Sequence, residues 1–122
     1  MSQHWFTNSM GRTVLYGSDK PTGGFFYTEF YRDDEIDEKV DDVVIVKSAL
    51  TIFELIEELS KNQRYTLSND EIKNVLTDWA TEPNPTPLQQ SIGRMFGHNL
   101  EEHLQKTKLS IQKYILEKNN DG

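Results

Sequence analysis

The chain has 122 residues, no cysteine and a formal net charge of −7. That length suits one domain with a core of its own, and the absence of cysteine excludes disulfides and thiolate metal centres and fits a reducing cytoplasm. The acidic balance argues against a nucleic-acid-binding protein, because phosphate backbones are polyanions, and the longest apolar run, Val43-Val44-Ile45-Val46, is far too short to cross a membrane.

The opening, MSQHWFTNSM, has no basic segment followed by an apolar one, so no secretory leader is expected. His4-Trp5-Phe6 reads as a short first strand. Asn8-Ser9-Met10-Gly11 has turn chemistry, and Thr13-Val14-Leu15-Tyr16 has the β-branched and aromatic make-up of a second strand. Gly17 to Gly24 (GSDKPTGG) reads as a loop, since Pro21 lacks a donor and the glycines break every periodicity. Phe25 to Tyr31 is a third strand with rings on both faces. Phe26 and Phe30 are expected to face the core, leaving Phe25, Tyr27, Glu29 and Tyr31 on a face only partly covered. Residues 29–42 then carry eight acids against Arg32 and Lys39, so most of the net charge sits here. Asp33 to Asp42 is expected to be a solvated connection, anchored by Ile36 or Val40. Val43 to Lys47 reads as a fourth strand, and its unbroken apolar run predicts a central, buried place.

After Ala49 the apolar period changes from 2 to 3.6. Thr51-Ile52-Phe53-Glu54 and Ser68-Asn69-Asp70-Glu71 are capping boxes, with stripes Ile52/Leu55/Ile56/Leu59 and Ile72/Val75/Leu76/Trp79 behind them. The proline-rich EPNPTP (82–87) ends the second helix. Thr86 caps a third helix with Pro87 at its first position, an apolar side of Leu88, Ile92, Met95 and Phe96, and Gly97 as its stop. Asn99 caps a long fourth helix, where Leu100, Leu104, Ile111 and Ile115 form a stripe that Thr107 interrupts. The expectation is a single α+β domain. An N-terminal antiparallel sheet of three to four strands (1–48) packs against about four helices (50–118), and residues 119–122 fray.

No pattern points to catalysis. The serines sit in no GxSxG elbow, and the paired carboxylates lie in a polar run where nothing separates their pKa values. Asp33, Glu35 and Asp37 alternate as calcium ligands do, but no glycine follows in register. His98 and His103 are five apart, one residue off the spacing that places two ligands on one helix face. The loop Gly17–Gly24 is followed by a strand, not by the helix a phosphate loop needs. Neither a metal nor a cofactor is expected.

Aromatic residues beside a charged cluster are common at protein interfaces. The first functional expectation is therefore a non-catalytic interaction or regulatory protein. It would dock a protein partner of basic character through Tyr27, Glu29, Tyr31, Asp33, Asp34 and Glu35, with salt-sensitive binding. The alternative is a small-molecule-binding protein or enzyme with a pocket between sheet and helices, walled by Trp79, Tyr16 and His98. A third reading is a homo-oligomer formed through an aromatic strand edge.

One stretch carries a resemblance. Gly11 to Phe26, GRTVLYGSDKPTGGFF, with its Tyr16-Gly17-Ser18-Asp19-Lys20-Pro21 turn leading into an aromatic strand, resembles the opening of small bacterial, cyanobacterial-type proteins of unassigned activity. The resemblance implies a bacterial α+β protein and brings no catalytic residue with it.

Overall fold

The computed structural model describes residues 2–36, 42–95, 97 and 99–120. The expected anchor Val40, the Phe96 end of the third stripe, His98 and the last two residues lie outside them. Four strands, β1 (His4–Thr7), β2 (Thr13–Asp19), β3 (Gly24–Phe30) and β4 (Val43–Leu50), precede four helices, α1 (Ile52–Gln63), α2 (Asn69–Thr81), α3 (Pro87–Met95) and α4 (Leu100–Asn120). The fold is α+β, as the change of period predicts.

The sheet is an antiparallel meander in the order β1-β2-β3-β4. Its register puts His4, Tyr16, Tyr27 and Lys47 in one cross-strand row and Trp5, Leu15, Thr28 and Val46 in the next. Adjacent rows point to opposite faces. Val14, Tyr16, Phe25 and Tyr27 form one core with Leu55, Leu59, Val75 and Trp79 of α1 and α2. Tyr27 and Phe25 are fully buried, so the helices cover the tyrosine face.

This reverses the expected orientation of β3. Phe26 and Phe30 lie on the opposite face, where Trp5 is 71% and Val46 60% exposed, although Phe26 itself is buried and Phe30 half-buried. The reason lies in the helices. The Tyr27 hydroxyl donates to Glu58 at 2.9 Å and accepts from Asn62 at 3.2 Å, and the Tyr16 hydroxyl donates to Glu71 at 3.1 Å. A buried phenol is tolerated when its tip finds a partner, and these partners sit 31–55 residues away in sequence.

The place of β4 also differs from expectation. It is an edge strand, with Val43 to Ile45 half-buried and Val46 to Ser48 exposed. A meander adds each strand beside its predecessor, so the fourth strand of four ends at an edge however apolar it is.

The four helix starts form as the sequence predicts. Thr51 Oγ1 accepts from the Glu54 amide at 3.1 Å and Glu54 returns the bond, and Ser68 and Glu71 repeat the device. Thr86 Oγ1 accepts from the Gln89 amide at 3.2 Å, and Asn99 Oδ1 from Glu102 at 3.2 Å. Two helix faces differ from expectation. The described part of the α3 stripe does not reach the core: Leu88, Ile92 and Met95 are all exposed. Thr107 does not interrupt the α4 stripe but completes it, because it is 2% exposed and its hydroxyl donates to the Gly23 carbonyl. Gly23 has φ +93°, and a Cβ there would lie 2.5 Å from the His103 Cβ, so this glycine lets α4 reach the sheet.

Candidate functional site

The six residues expected to form a docking surface divide into a buried pair and an exposed group. Tyr27 is enclosed by the core, and Glu29 is 7% exposed. Tyr31 is half-buried, Asp33 and Asp34 are exposed, and Glu35 is half-buried. The open part of the surface is thus Tyr31, Asp33, Asp34 and the outer edge of Glu35, with Asp42 arriving beside Tyr31 through the bond from the Tyr31 amide to the Asp42 carbonyl at 2.8 Å.

Glu29 is the centre of a polar network that closes one end of the core. One of its oxygens accepts from Gln63 Nε2 at 2.7 Å, and the other accepts from Asn8 Nδ2 and Arg12 Nη1, both at 3.2 Å. Gln63 ends α1, and its carbonyl oxygen accepts a second bond from Asn8 at 2.8 Å. Asn8 reaches both because its own carbonyl oxygen accepts from the backbone amides of Met10 and Arg12, which fixes the β1–β2 turn. A buried carboxylate survives only when paired and hydrogen-bonded, and Glu29 is both.

Arg12 joins this buried network to the exposed acids. Its guanidinium holds Glu35 through two bonds, 3.1 and 3.0 Å, and lies 4.9 Å over the Tyr31 ring. Those Arg12 bonds, helped by the Arg32 backbone amide, pull the Glu35 carboxyl down to about 2. The carboxylates in turn raise the Arg12 guanidinium, Glu35 first and Glu29 second. Arg32 reaches Asp34 at 3.2 Å. Asp33 and Asp42 pair with no cation among the described residues, and they supply the free negative charge of this end of the sheet. Arg12, Asn8 and Gln63 are not among the residues the sequence pattern marks for this site. The Asn-x-x-Gly turn is the only local signal, and nothing local says that Gln63 will meet it.

Two of the supposed walls of a pocket between sheet and helices, Trp79 and Tyr16, are core residues. Trp79 is 5% exposed and lies beneath the Lys20 ammonium at 4.6 Å, and Lys20 itself is buried, donating to the Glu82 carbonyl at 2.9 Å. Tyr16 only borders a cleft of about 300 Å³ at the β1 edge, next to His4, whose ring bonds Asp78 at 2.8 Å. Glu71 also borders this cleft. Burial alone would raise its carboxyl, but bonds from Ser68, Tyr65 and Tyr16 overrule that and hold it below the ordinary range. Among the described residues, no group of three or more His, Asp or Glu could hold a metal ion, and no helix is long and apolar enough to cross a membrane. Compared with protein families, curated proteins and solved structures, the chain matches none.

Proposed function

We propose that this is a non-catalytic docking protein that binds an extended, basic segment of a protein partner at the acidic end of its sheet. The observation that carries the reading is the position of β4. The most apolar run in the chain lies at a sheet edge, with no further strand beside it among the described residues, and follows Asp42, which pairs with no described cation and whose carbonyl accepts from the Tyr31 amide. An open edge offers alternate backbone donors and acceptors to an added strand, and side chains set which strand is accepted. Here the exposed Val46 favours an apolar residue, and Asp33, Asp34 and Asp42 favour lysine or arginine. Tyr31 supplies an aromatic flank. Tyr27 and Glu29 act indirectly, by holding the strand that carries Tyr31. The reading places the protein in a bacterial cytoplasm, which a chain without cysteine suits.

Selection from a random peptide library tests this. The protein should enrich peptides that alternate apolar and basic residues, and the bound peptide should shift the backbone amide signals of Val43–Lys47. Affinity should fall with added salt and with the double reversal Asp33→Lys/Asp34→Lys. Enrichment of patternless peptides, or binding indifferent to both salt and reversal, would overturn the reading. Concentration-dependent dimerisation through the same amides would instead make a second copy the occupant of the edge.

A further inference from the structure

A second recognition surface lies away from the sheet edge, between α2 and α4. There the helices leave a groove of about 570 Å³, within the range of about 300–1,000 Å³ usual for small-molecule sites. Its floor is aliphatic, from Ile72 and Leu76 on α2 to Ile111 and Ile115 on α4. It runs along α2 from Asn69 to Ala80, a length of roughly 16 Å at the helical rise.

The charge at this groove is opposite to that of the chain. The protein carries −7 overall, yet the groove is lined by two lysines, Lys73 and Lys118, and by no acid. Neither lysine is ion-paired with a described carboxylate. Lys118 Nζ donates to the neutral Asn69 side chain at 3.2 Å, which brings it to the start of α2. Lys73 stands four residues, one helical turn, beyond Asn69 on the same helix. Both lysines therefore stand towards one end of the groove, and Asp70 and Glu71 in the first turn of α2 do not line it. The other end, towards Leu76, Thr77 and Ala80, has no charge.

We propose that the α2–α4 groove binds a single-chain anionic amphiphile, with its carboxylate at Lys118 and Lys73 and its alkyl chain along Leu76, Ile111 and Ile115. An apolar trough with cationic groups at one end only matches a ligand that is charged at one end only. A docked helix would bring polar and charged groups along its whole length, and the rest of the groove offers them no charge. The site is independent of the sheet-edge reading, and either can fail without the other.

Dodecanoate below its micellar concentration is the probe, followed by calorimetry and by amide shifts in the full-length protein. Dodecanoate should bind one to one and shift amides of α2 and α4. The Lys73→Gln/Lys118→Gln protein should bind it about tenfold or more weakly, the loss expected for charge-assisted bonds, while its affinity for dodecanol stays as in the wild type. Leu76→Trp, which fills the trough, should weaken both ligands. Both lysines are exposed, so the double variant should keep its fold, which an unchanged melting temperature checks. The proposal is overturned if dodecanoate does not bind, if its shifts map elsewhere, or if the lysine variant binds it as the wild type does. Tighter binding of an acidic amphipathic peptide in the same groove would also overturn it.

Discussion

Replacing Glu29 tests whether this carboxylate serves the fold or the proposed docking surface. In the structure Glu29 is 7% exposed and receives three bonds, from Gln63, Asn8 and Arg12. Glu29→Ala removes all three and leaves the Gln63 amide, itself 4% exposed, without its acceptor. Removing one partner of a buried pair costs about 3–5 kcal/mol. Arg12 keeps Glu35 after the change, so the lower end applies, about 3 kcal/mol. At a urea m-value of about 1.5 kcal/mol per molar, that lowers the midpoint by about 2 M. Glu29→Gln keeps an acceptor for Gln63 and loses the charge facing Arg12, so its midpoint should fall between wild type and Glu29→Ala. Asp33→Ala, on the same stretch but in water, should stay within about 0.5 kcal/mol of wild type. Equilibrium urea unfolding of the four proteins by circular dichroism is the assay. A Glu29→Ala midpoint as close to wild type as that of Asp33→Ala would refute the buried network, and would return Glu29 to the accessible surface.

Two further predictions concern the sheet–α4 junction and the acidic end. Gly23→Ala places a Cβ 2.5 Å from the His103 Cβ at φ +93°, whereas Gly97→Ala at φ +74° meets nothing within 4 Å. The second change should cost only the backbone penalty of about 1–2 kcal/mol, and the first should add about 1–3 kcal/mol of overpacking. Equal midpoints in urea would show that α4 does not press on Gly23. The depressed Glu35 carboxyl predicts a pH dependence. Its contribution is present above its ordinary value of 4.5 and is lost as pH falls through about 2. Stability followed by urea midpoint should therefore drop across that window in the wild type and less steeply in Glu35→Gln. Parallel curves for the two proteins would show that the Arg12–Glu35 pair does not hold in solution.

The elements were legible where their signals are local. Each capping box joins residues three apart, and Thr51, Ser68, Thr86 and Asn99 all begin helices with the bonds their sequences specify. Turn residues placed the strands less closely: Gly17, Ser18 and Asp19, expected in a loop, extend β2, and β4 runs on to Leu50. What the sequence could not show was which face of each element is covered, because that depends on groups far away along the chain. Phe25 to Tyr31 has rings on both faces, so hydrophobicity alone does not rank them. Leu88, Ile92 and Met95 of the α3 stripe are as apolar as the stripes of α1 and α2, yet they stay in water. Thr107 looked like a break in a stripe because its partner, the Gly23 carbonyl, is 84 residues distant.

The same distance effect relocates the proposed docking surface. Tyrosines and a glutamate beside an acidic run read as an exposed patch when polar tips are taken to need water. In this fold the tips of Tyr16 and Tyr27 reach Glu71 and Glu58, and Glu29 reaches Gln63, all from the helices. Water is not needed, and the larger rings can be buried with their hydroxyls satisfied. Once that face is closed, the docking surface proposed above is left to the Val43–Lys47 stretch of β4 and to Asp33 and Asp42, which pair with no cation among the described residues. Arg12 links the two regions, since one guanidinium binds buried Glu29 and half-exposed Glu35 together. A partner that competed for Glu35 would therefore pull on the core network through Arg12. For that reason the proposed salt-sensitive docking is better carried by Asp33, Asp34 and Asp42, none of which Arg12 holds.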